Sequence, residues 1–156
     1  MGDSINIDGP FGRFGYKPGG IVVIDGQEMP KKRIFFIGGG SGITPIFQTI
    51  NEIRKMENED IEMILLFANK KEEDIVLRKE LEELEPRVKV HFILDTPPEG
   101  WKGFTGFAVK EVLEKICPLD DKDTLYVHCG PGPMNMMIRE MFAKDFPEST
   151  LFKYWL

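Results

Sequence analysis

Apolar residues fall in short runs separated by amphipathic stretches. Ile34 to Ile37, Met63 to Phe67 and Leu125 to Val127 are apolar without a break. That is the pattern of strands buried on both faces of a sheet. Val88 to Leu94 alternates instead, with Val88, Val90, Phe92 and Leu94 set against Lys89 and His91. Alternation predicts a solvated face or an edge position. Ile46, Phe47, Ile50 and Ile53 recur at helical spacing, as do Leu77, Leu81 and Leu84. So do Val109, Val112, Leu113 and Ile116, and finally Met134, Met137, Ile138, Met141 and Phe142. The helix carrying Leu77 is expected to open at Glu72, Glu73 and Asp74, whose charges suit a positive helix end, and to stop at Pro86. Leu151 to Trp155 supplies a fifth strand. Strands alternating with helices predict an α/β fold, a doubly wound five-stranded parallel sheet in the order 3-2-1-4-5.

Residues 1–32 break this rhythm. Ser4 to Asp8 alternates like a half-buried strand, and Gly9-Pro10, Gly12 and Gly15 then interrupt it. Ile21 to Ile24 followed by Asp25-Gly26 predicts another short strand and a turn. The segment reads as the tail of a preceding domain, or else as an extension that packs on the main one.

Between the first buried strand and the first helix stands GGGSGITP, Gly38 to Pro45. Glycines there let the backbone turn tightly and approach a ligand that a Cβ would block. Thr44 is expected to cap the helix, with Pro45 at its first position. A glycine loop entering a helix suits an anionic or polar ligand. Three common fingerprints fail. Ile43 stands where G-x-G-x-x-G needs its third glycine and where the hydrolase elbow G-x-S-x-G needs its last. No Lys-Ser or Lys-Thr follows, as a Walker loop requires. In the predicted strand order, strands one and four are neighbours. Gly38–Thr44 and Cys129–Pro133 then face each other across the crevice at the strand carboxyl ends.

Composition narrows the partners. The 156 residues carry 42% hydrophobic and 29% charged side chains, ordinary for a single soluble domain. A net charge of -6 argues against nucleic acid. No stretch approaches the roughly 20 apolar residues of a membrane span. Cys117 and Cys129 make neither a metal spacing nor a disulfide framework, which suggests a reducing, cytoplasmic setting. No metal spacing includes His91 or His128 either.

With both loops in view, the chain resembles the NADH-cytochrome b5 reductase and nitrate reductase flavoprotein group of the ferredoxin-reductase-like family. The resemblance is carried by GDSINIDGPFGRFGY at 2–16, FIGGGSGITPIFQTI at 36–50 and LLFANKKEEDIVLRKELEEL at 65–84. FILDTPPEGW at 92–101 and HCGPGPM at 128–134 complete it, in the family's order. The resemblance implies an NAD-binding domain at 33–156, with 1–32 as the end of an FAD-binding β-barrel plus linker. The family's Arg-x-Tyr flavin motif and its pyrophosphate-binding stretch have no match; Arg13 to Tyr16 has the wrong spacing. The implied function is hydride transfer from NADH to FAD, then electrons to an acceptor such as cytochrome b5 or a haem domain. The implied partner within the protein is an upstream FAD-binding barrel, and any membrane anchor would also lie upstream. The other class of reading is a non-catalytic nucleotide-binding module, or a subunit needing a separate flavin barrel.

The resemblance also assigns roles. Gly39, Gly40, Gly42, Thr44 and Pro45 would meet the dinucleotide, with the Thr44 hydroxyl near both reacting rings. Cys129 would lie beside the nicotinamide and help to place it. Gly130, Pro131, Pro133 and Met134 would shape the opposing loop, although Met134 to Met141 also reads as core filling. Asp95 matches the acidic residue that selects NADH over NADPH, because a carboxylate accepts from a ribose hydroxyl and repels a 2′-phosphate; a turn role before Pro97-Pro98 is the alternative. A nucleophilic Cys129 with His128 as base is disfavoured, because neighbouring strand residues point to opposite faces. Phe152, Tyr154 and Trp155 read as a last strand with aromatic packing.

Overall fold

The computed structural model describes residues 12–154. The expected strand at Ser4 to Asp8 lies outside them, as does Trp155. A three-stranded antiparallel sheet comes first: β1 Phe14–Lys17, β2 Ile21–Ile24 and β3 Gln27–Pro30. A parallel sheet follows, with β4 Arg33–Gly39, β5 Glu62–Asn69, β6 Val88–Leu94, β7 Phe104–Thr105, β8 Thr124–Cys129 and β9 Thr150–Lys153. Its order is β7-β6-β5-β4-β8-β9. The predicted 3-2-1-4-5 order is therefore present in β6-β5-β4-β8-β9. The sheet has six strands rather than five, because the two-residue β7 adds at Ile93 and Leu94 of β6. Val88 to Phe92 keep one edge uncovered by β7, which accounts for the alternation there.

The continuous apolar runs are explained by two separate cores. Ile34 and Phe36 of β4, with Met63, Leu65 and Phe67 of β5, pack against Ile43, Ile46, Ile50 and Ile53 of α1, Ile43–Arg54. The alternate residues Phe35, Ile37, Ile64 and Leu66 face the other way. They meet Leu113 of α3, Lys110–Ile116, and Ile138 and Phe142 of α4, Gly132–Asp145. Helices on both faces make the sheet doubly wound.

The single helix expected from Glu72 to Pro86 is instead broken in two. Glu72–Asp74 forms a 3-10 turn closed by Asp74 Oδ2, which accepts from the Lys71 backbone N–H at 3.0 Å. Ile75 then turns into the core, and Leu77 takes a left-handed φ of 58°. Only Arg78–Glu82 forms α2. The local carboxylate bond competes with helical pairing, and the β-branched pair Ile75-Val76 adds little helix propensity.

Residues 12–32 pack on the main body. Val22 is fully buried in the core that holds β4 and α1. Phe14 lies 5.5 Å from Phe152 and 5.6 Å from Tyr154, centroid to centroid. The Tyr154 hydroxyl shares a 2.6 Å hydrogen bond with Thr49 of α1.

At the end of the sheet away from the glycine loop, Arg33 ties three strands together. Its Nε donates to Glu62 at 2.6 Å and its Nη1 to Asp121 at 3.0 Å, while Lys89 also donates to Glu62 at 2.6 Å. Lys89 and Arg33 together hold the Glu62 carboxyl below its ordinary range. Arg33→Ala leaves two partly buried carboxylates short of a partner and is expected to cost about 2 kcal/mol in urea unfolding. A loss below roughly 0.5 kcal/mol, the scale of exposed pairs, would show that solvent already screens this network.

Candidate functional site: two loops closed on each other

β4 and β8 are hydrogen-bonded neighbours, and Gly38 stands opposite Cys129 at their carboxyl ends. From there the chain runs through Gly40, at a φ of +51°, and a 3-10 turn Gly40–Gly42 into α1. The other wall leaves β8 at Cys129, passes Gly130 and Pro131, and enters α4 at Gly132 with Pro133 in its first turn. The two walls touch. A Cβ on Gly42 would overlap the Cys129 carbonyl and stand 2.8 Å from Gly130 N. One on Gly39 would lie 2.7 Å from Met134 Sδ and 3.0 Å from Pro131 Cδ. One on Gly130 would overlap Met134 Cε and lie 3.2 Å from Gly39 Cα. Gly39, Gly42, Cys129, Gly130, Pro131 and Met134 are thus brought together. Open space adjoins Gly40 and Gly132 on the outer side.

Thr44 is not the helix cap. Ile43 is the first helical residue, Gly42 is the N-cap without a side-chain bond, and the Thr44 hydroxyl donates to the Ser41 carbonyl at 3.0 Å. The helix therefore starts two residues earlier than expected, through the preceding 3-10 turn. Pro45 becomes its third residue, where an amide still has no intrahelical partner to lose. Thr44 remains exposed beside the crevice.

Asp95 is exposed immediately after β6, its backbone N–H bonded to Asn69 O at 3.1 Å. It shares the carboxyl edge of the sheet with Gly39, two strands away, or roughly 10 Å by strand spacing. Phe107, two residues past β7, is 66% exposed and follows Gly106, whose φ is +89°. Phe107 is not among the residues expected at the site from the sequence. Its signal is an aromatic placed just after a glycine turn, next to the strand end that carries Asp95.

Cys129 is fully buried, and burial pushes its thiol pKa up, against any thiolate nucleophile. His128 points to the opposite face of β8. It is fully buried, with Nδ1 2.8 Å from Asn135 Oδ1 and Nε2 without a hydrogen-bond partner among the described residues. Asn135 Nδ2 donates in turn to Gly130 O at 2.5 Å, so Nδ1 carries the proton and Nε2 is bare. Asn135 is the second residue the sequence did not single out. Burial first, then the nearby Lys153 and Arg139 charges, press the His128 pKa from 6.5 down to about 4, partly offset by Asn135. The stability this protects is complete above pH 6.5 and is lost as pH falls from there through about 4. Between pH 7 and 4.5 the loss from His128 is about 2 kcal/mol. Urea unfolding of His128→Asn should show a pH-dependent loss smaller by that amount; an equal loss would mean that His128 does not titrate between the states.

Among the described residues, no three His, Cys, Asp or Glu side chains are grouped to hold a metal ion, and no helix is long and apolar enough to cross a membrane. Glycine loops that open two helices side by side, at the point where strand order reverses, define a nucleotide-binding α/β domain. Residues 36–140 match the family model described as oxidoreductase NAD-binding domain. The chain belongs to that family. It is 39% identical over 158 residues to NADH-cytochrome b5 reductase 1 of Dictyostelium discoideum, a match covering 99% of this chain and 52% of that protein. It is 42% identical over 142 residues to nitrate reductase [NADH] 1 of Oryza sativa subsp. japonica, covering 86% of this chain and 16% of that one. The cytochrome b5 reductase domain of Ulva prolifera nitrate reductase superposes with a TM-score of 0.81 at 34% identity, covering 94% of this chain and 58% of that one. The chain thus spans about half the length of the reductase it matches and a smaller share of the nitrate reductase. A solved ferredoxin reductase of carbazole 1,9a-dioxygenase, at 20% identity and a TM-score of 0.60, shares the fold.

Proposed function

We propose that the chain is the NADH-binding half of an FAD-dependent reductase that delivers electrons to a haem protein such as cytochrome b5. The observation that carries this reading is the closure of Gly38–Thr44 on Cys129–Pro133, with Asp95 on the same sheet edge. The residues fit a dinucleotide. Space that no Cβ fills lies outside Gly40 and Gly132, and the positive ends of α1 and α4 both favour a pyrophosphate there. When bound, NADH supplies a hydride to the flavin. Gly39, Gly40, Gly42 and Pro45 shape one side of the site, and the exposed Thr44 hydroxyl has lone pairs free to accept toward the rings. Cys129, neutral and fully buried, backs the nicotinamide wall with a low-polarity side chain, and Gly130, Pro131, Pro133 and Met134 shape the wall in front of it. Asp95 takes the ribose hydroxyls, and the exposed Phe107 ring offers a face to the adenine.

Residues 1–32 are assigned as the end of the flavin barrel and its linker, and 33–156 as the NAD domain. The separate antiparallel sheet β1–β3 supports that division, and Phe14 and Val22 are its contacts with the NAD domain. Two buried, unbridged cysteines suit a cytoplasmic protein. The test is to record the visible spectrum of the purified chain, then titrate NADH with and without a dye acceptor. NADH binding in a colourless chain that reduces nothing supports a half-enzyme that needs its barrel. A folded chain that does not bind NADH would defeat the reading of both loops.

A further inference from the structure

The parallel ladder that fixes β8 stops at Cys129. Its last pairs are Gly38 with Cys129 on one side and His128 with Lys153 on the other. Beyond them, Pro131 and Pro133 have no amide to donate, so the loop cannot hold itself by a regular backbone pattern. Pro131 O accepts the first backbone bond of α4, from Asn135 N–H at 3.0 Å, which any residue at 135 would donate. Gly130 O lies before the helix and is held by the side chain: Asn135 Nδ2 donates to it at 2.5 Å. An asparagine amide can turn over and present oxygen where nitrogen is needed. Here it is prevented from doing so. His128 Nδ1–H donates to Asn135 Oδ1 at 2.8 Å, which leaves Nδ2 facing Gly130. Both side chains are buried, His128 completely and Asn135 to 7% exposure, so no water substitutes for a missing partner.

We propose that His128 and Asn135 form a buried strut that holds the Cys129–Pro133 loop in its ligand-receiving shape, making both positioning residues for the nicotinamide. The proposal rests on the reading of that loop as the nicotinamide wall. His128 acts as the orientation lock, Asn135 as the tie, and Gly130 as the point that is tied. Cys129 itself is placed by its pairing with Gly38, and the strut holds the loop that closes over it. Neither strut residue faces the crevice, and neither exchanges a proton with the substrate.

The two cysteines give an internal control. Cys129 lies at the carboxyl end of the sheet, while Cys117 is 1% exposed at the other end, 3.9 Å from Arg33 Nη1. Burial raises both thiol pKa values, so both alkylate slowly in the native chain. Iodoacetamide labelling of the full chain, read cysteine by cysteine by mass spectrometry, separates local release of the loop from general destabilisation. His128→Leu and Asn135→Leu should raise the Cys129 rate about tenfold while leaving Cys117 unchanged, and weaken NADH binding about tenfold. His128→Asn, whose amide nitrogen stands at the Nδ1 position, should recover most of both effects. Should either leucine variant fail to fold, the comparison of wild type with Asn135→Ser carries the same test. Equal acceleration at both cysteines, or unchanged Cys129 labelling, overturns the strut. Selective Cys129 release with unchanged NADH affinity overturns its positioning role. If the wild-type chain itself does not bind NADH, the nicotinamide reading falls, and the labelling comparison still decides the strut.

Discussion

Gly42→Ala is expected to disable the site and weaken the fold together. Its new Cβ would overlap the Cys129 carbonyl and stand 2.8 Å from Gly130 N, all main-chain atoms of the facing loop. A side chain in that position could swing aside, but Cys129, the residue that the Cβ meets, is locked in register against Gly38 of β4. The strain has to open the gap between the loops or break the last ladder bonds. A cost of about 3 kcal/mol follows, or a fall in Tm near 10 °C for a chain of this size. NADH affinity should drop below detection, because both walls move. Gly130→Ala offers the contrast. Its Cβ would overlap only the mobile Met134 Cε and otherwise lie 3.2 Å from Gly39 Cα, so a smaller loss of roughly 1 kcal/mol is expected. Thermal unfolding of the two variants ranks them. Equal stability of Gly42→Ala and wild type would mean that the loops are further apart in solution than in this structure.

Asp95→Thr is expected to erode the choice of cofactor with little effect on folding. Asp95 is exposed, and among the described residues its side chain makes no hydrogen bond or ion pair; its backbone N–H is tied to Asn69 O at 3.1 Å. The wild-type carboxylate would accept from the ribose hydroxyls of NADH and repel the 2′-phosphate of NADPH. Losing both effects is worth about 2 kcal/mol in relative affinity, a factor near thirty toward NADPH. Parallel titrations with the two cofactors measure it. An unchanged ratio would remove Asp95 from the site and leave it a turn residue before Pro97-Pro98.

The sheet was legible because burial on two faces leaves a distinctive mark. Ile34 to Ile37 feed both cores in alternation, so the run must be apolar throughout. The strand order expected of such a sheet sets Gly38–Thr44 facing Cys129–Pro133, and β4 and β8 are indeed neighbours. Less was legible where pairing, not residue type, makes the element. β7 is only Phe104 and Thr105, and β3 is Gln-Glu-Met-Pro, a strand because β2 lies alongside it. Gly15, read as a breaker, sits inside β1 opposite Val23. The broken helix at 72–82 turned on one bond from Asp74 to the Lys71 amide, which competes with a pattern that otherwise reads as helical. Within the site, the close approach of Gly42 to Cys129 follows from the strand order. The positions of Asn135 and Phe107 do not, because one depends on what a buried amide happens to face and the other on where a two-residue strand ends.

One dinucleotide is expected to bridge the two loops. At 17.9 kDa the chain is within reach of amide-resolved NMR, and a titration with NADH tests the claim directly. The largest shifts are expected at Gly38–Thr44, at Asp95, and at Gly130, Gly132 and Met134, the loop positions that have amides on either side of Pro131 and Pro133. Shifts gathered instead around the cavity between Arg78, Phe92 and Trp101, with both loops silent, would contradict it.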